Sequence, residues 1–200
     1  MKNKKKGGKF SLKDNYIQSW NYVKESRNFI YIIIGVFFIF SLIGFFIPAP
    51  DILSEQILKF IQELLEKTEN MSQGELISFI FLNNLQSSFF GMIFGIFLGI
   101  FSIIAGIANG YLLGFVASMS VKNEGSLILL KLLPHGIFEL PAVFISLGMG
   151  LKLGMFVFQK EKFESLKRDF WNSLRVFLFI VIPLLIIAGI IEGSLIFLSR

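Results

Sequence analysis

The chain has 200 residues, of which 54% are hydrophobic and only 16% charged, a balance that excludes a soluble domain of this size, whose core must be covered by polar surface. The absence of cysteine excludes a disulfide framework, a thiol nucleophile and a thiolate metal site. The formal charge of +5 does not indicate nucleic-acid binding, because the basic residues cluster beside the apolar runs rather than on a separate polar domain.

Residues 1–28 read as a basic tail followed by an interfacial helix. Ser11 and Asp14 have the spacing of a helix cap, and Leu12, Tyr16, Trp20 and Val23 recur at helical intervals, as expected of a short helix lying on the membrane surface. The first span is predicted at about 29–47. Eight Lys or Arg precede it against two acids, whereas residues 48–75 hold two Lys against six acids, so the N-terminus is expected to be cytoplasmic. Pro48-Ala-Pro50 ends this span, and residues 51–67 read as an extracytoplasmic amphipathic helix with Leu53, Ile57, Phe60 or Ile61, and Leu64 opposite Glu55, Lys59, Glu63 and Glu66.

Residues 76–121 contain no charged side chain and are too many for one span, so two are expected, at about 76–101 and 107–121, with a turn near 102–108. Gly91, Gly95 and Gly99 repeat every four residues on the first, and Gly106, Gly110 and Gly114 on the second. Such faces permit close helix contact, and self-association through them is expected. Residues 126–133 are too few to cross and read as a short re-entrant or interfacial element ended by Pro134. Further spans follow at about 136–158 and 174–198. Between them, residues 159–175 hold five Lys or Arg, which places that segment inside and the C-terminus outside. Residues 29–198 therefore form one all-α, polytopic transmembrane bundle of about five spans. Trp20-Asn21-Tyr22 before the first span is echoed by Trp171-Asn172-Ser173 before the fifth, which we attribute to shared interfacial chemistry.

Polar groups in hydrocarbon need a partner, a water cavity or a function. The densest set surrounds the single histidine, His135, four residues before Glu139 and so on one helical face with it. A structural hydrogen-bonded pair, a metal or proton site and a catalytic acid/base pair are all open. Two ligands do not complete a metal site, and the metal state is left unassigned. Asn83, Asn84 and Asn109 suit hydrogen bonds between helices, and Glu192 is a lone carboxyl within a span. No G-x-S-x-G and no phosphate-binding loop is present, and no cofactor is expected.

Three segments, Ile80-Phe-Leu-Asn83-Asn84, Asn109-Gly110 with Gly114, and His135-Gly-Ile-Phe-Glu139-Leu-Pro-Ala142, together resemble the stage II sporulation protein M family of small integral membrane proteins over about residues 16–198. The resemblance implies a membrane scaffold. The family's namesake holds cell-wall hydrolases at the septal membrane of spore-forming bacteria without being the hydrolase itself. The expected partners are accordingly the lipid bilayer, other copies of the chain, and extracytoplasmic or membrane proteins. A small transporter or channel with a polar cavity is the alternative, and a membrane hydrolase using His135 and Glu139 the third reading.

Overall fold

The computed structural model describes residues 11–199, with the side chains of residues 124 and 128–135 outside the description. Regular structure among the described residues is helical throughout: α1 (Leu12–Glu25), α2 (Arg27–Phe46), α3 (Asp51–Thr68), α4 (Gln73–Ile93), α5 (Ile100–Glu124), α6 (Leu129–Gly154), α7 (Lys162–Val176) and α8 (Ile182–Leu198). Five segments are long and apolar enough to cross a membrane: Arg27–Phe46, Gln73–Ile96, Ile100–Asn123, Gly136–Phe158 and Lys162–Leu198. In lipid a helix satisfies its own backbone polar groups, so this sequence has one stable way to cross. The chain is a multi-pass membrane protein.

Helix α6 is the axis of the bundle. It touches α2, α4, α5 and α8, and most of its apolar window is buried, whereas the other spans turn most of theirs outward. Glycine sets how closely the helices meet. Along α5, a Cβ on Gly110 would overlap the Phe37 carbonyl and one on Gly114 the Ser41 carbonyl of α2. Gly91, Gly95 and Gly99 face Leu147, Gly150 and Leu151 of α6 in the same stepwise way, and Gly189 and Gly193 of α8 lie on Phe81 and Ile77 of α4. Both sequence stripes are thus occupied by helices of the same chain. Gly106 also faces α2, where an added Cβ would lie 3.8 Å from Ile33, so the glycine faces assigned to self-association are taken up within one molecule.

The turn between α4 and α5 lies at Phe97–Gly99 rather than at 102–108. Leu98 and Gly99 adopt φ of 57° and 72°, a left-handed pair that reverses the chain and leaves Gly106, Gly110 and Gly114 on one unbroken helix. The third span accordingly begins at Ile100 instead of 107. This hairpin tip carries no charge and exposes Phe94, Phe97, Leu98, Ile100 and Phe101, so it belongs in hydrocarbon. Its backbone is satisfied locally, with Gly99 N–H donating to the Gly95 carbonyl at 2.7 Å and Ile103 N–H to the Gly99 carbonyl at 3.1 Å.

Residues 126–133 are not a separate re-entrant element. A 3-10 turn at Ser126–Ile128 leads directly into α6, which continues past Pro134. Helices α7 and α8 form one rod joined by a π-helical stretch, Phe177–Val181, just before Pro183. Proline lacks an N–H and crowds the preceding turn, and the wider π turn absorbs both effects. The rod places α7 with α1 at one end of the bundle, together with the tip at Gly99, whose backbone meets Gly154. We call this the basic end. Helix α3 and the end of α8 lie at the other, where Gln73 Nε2 donates to Ser194 Oγ at 3.1 Å and the Lys67 ammonium stands 4.9 Å from the Phe79 ring.

Candidate functional site

The six polar residues singled out in the sequence occupy four different helices. His135 lies on α6, and its side chain falls outside the described residues. Glu139 of α6 and Glu192 of α8 are half-buried, each engaged in an interaction, on two helices that pack together. The asparagines do not join them. Asn109 is exposed and returns its amide to the Ala105 carbonyl of its own helix at 2.8 Å, while Asn83 is exposed and reaches Asn84 at 3.5 Å. Among the described residues no cluster of three or more metal-binding side chains occurs.

Two serines tie the spans together instead. Ser146 Oγ donates to the Ser88 carbonyl at 2.6 Å, and Ser102 Oγ to the Gly91 carbonyl at 2.8 Å. Each links the α4–α6 seam or the α4–α5 hairpin where glycine lets the backbones approach, and each satisfies a hydroxyl that lipid would leave unpaired. Of the clefts among the described residues, one of about 410 Å³ lies between α3 and the end of α8, lined by Leu65, Glu66, Glu69, Ile196 and Ser199. Another, of about 520 Å³, lies beside Phe158 to Glu161. Both are at the ends of the bundle rather than between spanning helices.

The most concentrated polar chemistry is at the basic end, in residues that the sequence reading did not select. Helix α1 and its cap bury Ser19, Tyr22 and Ser26 against α7, which presents Ser165, Asp169 and Ser173 in return. Small side chains let the two helices approach. Over this seam α6 delivers Lys152, only 8% exposed, whose ammonium contacts Glu25 Oε1 at 2.9 Å, Ser26 Oγ at 3.1 Å and the Tyr22 ring face at 3.9 Å from its centroid. Arg168 reaches from the surface to the buried Asp169 carboxylate at 2.9 Å. Two cations thus neutralise two acids around one aromatic ring, as burial of charge requires.

The Tyr22 hydroxyl lies enclosed beside Asp169 and Ser173 without a well-formed hydrogen bond, and Ser173 Oγ is likewise unsatisfied. Burial, reinforced by the Asp169 charge, pushes the Tyr22 phenol far above its ordinary value. A folded-state value above the unfolded one means that the stabilising difference is intact below about pH 10 and is lost as the pH rises beyond it. Tyr22→Phe keeps the ring under Lys152 and removes a buried unsatisfied hydroxyl. It is expected to leave the unfolding free energy at neutral pH unchanged or raised by up to about 1 kcal/mol, and to make the loss of stability above pH 10 shallower. Thermal unfolding across pH measures both effects.

Two sequence signals pointed here. Lys152 is the one charged residue in the run from Leu140 to Phe158, and the Trp-Asn echo places Tyr22 and Ser173 at equivalent positions. The two echoed segments lie against each other at the α1–α7 seam.

Residues 33–195 match the family model described as stage II sporulation protein M. Neither a curated protein nor a solved structure matches the chain.

Proposed function

We propose that this chain, which belongs to the stage II sporulation protein M family, is a membrane scaffold: a non-enzymatic protein that holds partner proteins at the bilayer through its extramembrane helices. The observation that carries this reading is α3. It is a helix of 18 residues that buries none of them, and its exposed residues include Leu58 and Leu65 beside Glu55, Glu63 and Glu66. A pore would be expected to turn its polar residues inward, yet Asn83 and Asn109 face outward and the hydroxyls of Ser102 and Ser146 are engaged by interhelical bonds. The bundle is thus a packed support, and the surfaces available for recognition stand at its ends.

The charge distribution supports a cytoplasmic basic end, with α3 and the C-terminus outside. Partners of the scaffold are then extracytoplasmic or membrane proteins that meet α3. Because the glycine faces are occupied internally, a second copy would bind elsewhere on the molecule.

A photo-crosslinking residue at Leu58 or Leu65, in the full chain in its native membrane, is expected to give discrete protein adducts. The same residue at Phe97, on the hairpin tip, is expected to give none. The purified protein in planar bilayers is expected to be silent. Saturable solute uptake or unitary conductance by the purified protein, diminished in Glu139→Gln, would instead establish the transport reading and overturn the scaffold.

A further inference from the structure

We propose that the paired helices α1 and α7 form a platform that binds the headgroups of anionic phospholipids. This goes beyond scaffolding and does not depend on it. The observation is an inversion of the usual burial pattern. Along their shared seam the two helices bury Ser19, Ser26, Ser165, Asp169 and Ser173 around Tyr22, while Leu12, Tyr16 and Trp20 on α1 and Phe163 and Trp171 on α7 face away. Phe163 is 84% exposed and Trp171 57%. A water-facing pair would have the opposite arrangement, so the outward faces of these helices require an amphipathic surface.

The membrane is that surface by continuity. Helix α1 leads through Ser26 into the span α2, and α7 passes without a break into α8, so the ends of α1 and α7 that carry Trp20 and Trp171 adjoin the spans. Tyr and Trp favour this depth because their rings are apolar and their N–H and O–H groups are polar.

The selectivity comes from the cations. Lys24 lies one helical turn after Trp20, Lys167 one turn after Phe163 and one before Trp171, and Arg175 one turn after Trp171. Trp20 therefore has Lys24, and Trp171 has Lys167 and Arg175, within one helical turn. Of the acids nearby, Glu25 is held by Lys152 and Asp169 by Arg168. That leaves Asp14, Glu161 and Glu164 against Lys13, Lys160 and Lys162 in addition to the three cations on the aromatic faces. A surface of net positive charge flanked by interfacial aromatics fits phosphatidylglycerol-like headgroups better than zwitterionic ones.

The test uses the protein's own fluorescence, since its two tryptophans, Trp20 and Trp171, both stand on the platform. The full chain is reconstituted in phosphatidylcholine nanodiscs with a minor share of phosphatidylglycerol, and shallow bromine quenchers are placed on one lipid or the other at equal bromine content. Quenching by brominated phosphatidylglycerol is expected to be stronger by about fivefold, the factor that roughly 1 kcal/mol for one surface cation gives. High salt, and the triple variant Lys24→Gln, Lys167→Gln and Arg175→Gln, are each expected to bring the ratio close to one. Equal quenching by the two lipids in the wild type at low salt overturns the proposal. So does a preference that survives both the salt and the substitutions. If the triple variant fails to fold, the salt dependence of the wild type decides alone.

Discussion

Gly114→Val is expected to destabilise the protein by about 3 kcal/mol or more, the upper range for overpacking a tight interior. The reason is the identity of the neighbours. A Cβ at this position would overlap the Ser41 carbonyl and lie 2.9 Å from the Phe45 backbone nitrogen, so relief requires moving α2 rather than rotating a side chain. Gly110 presses in the same way on Phe37, which means the two helices cannot separate at one contact without losing the next. In lipid the helices gain little from hydrophobic association and depend on close packing, so the loss is not compensated. Gly35 supplies the control. Nothing lies within 4 Å of its added Cβ, and Gly35→Ala is expected to be neutral or stabilising by up to about 1 kcal/mol through helix propensity. Thermal unfolding of the purified variants in detergent measures both. Equal stability of Gly114→Val and wild type would show that α2 and α5 do not meet as described.

The same pair of helices indicates what was legible in advance. The four-residue glycine repeats and the apolar runs announced close-packed spans, because both are local in sequence and have few structural meanings. The hairpin tip was not legible. A turn in water is marked by Asn, Asp, Ser or Pro, but Phe97-Leu98-Gly99 turns within hydrocarbon, where such residues would be costly, and its only mark is a glycine that also belongs to a packing stripe. Ser102, in the expected turn, is instead a buried helical residue bonded to Gly91.

For the site, the sequence reading followed polar residues within spans and so chose Asn83 and Asn109, which face outward. It passed over Lys152, whose significance depends on Glu25 and Ser26, 127 and 126 positions away. Periodicity also favoured the large residues of α1 as the informative face. The small serines that join these helices have no strong pattern by themselves, and their meaning appears only when both stripes are set side by side.

The pair at that junction makes an asymmetric prediction. Removing Glu25 leaves an ammonium whose side chain is 10% exposed, with only the Ser26 hydroxyl and the Tyr22 ring to replace water. Removing the ammonium leaves Glu25, 64% exposed, which returns to solvent. Breaking a pair is costly chiefly when the remaining charge is buried, while exchanging a buried charge for an apolar group of similar shape is often near neutral. Glu25→Ala is therefore expected to cost about 2 kcal/mol and Lys152→Met less than about 1 kcal/mol. The double variant is expected to match Lys152→Met rather than the sum, because no buried charge is left to strand. Thermal unfolding gives the order, and tryptic cleavage at Lys24 reports whether α1 has detached, rising in Glu25→Ala before the spans unfold. If Lys152→Met proves the more damaging of the two, the ammonium contributes through cation–π contact and packing at α1 rather than as a buried charge requiring its partner.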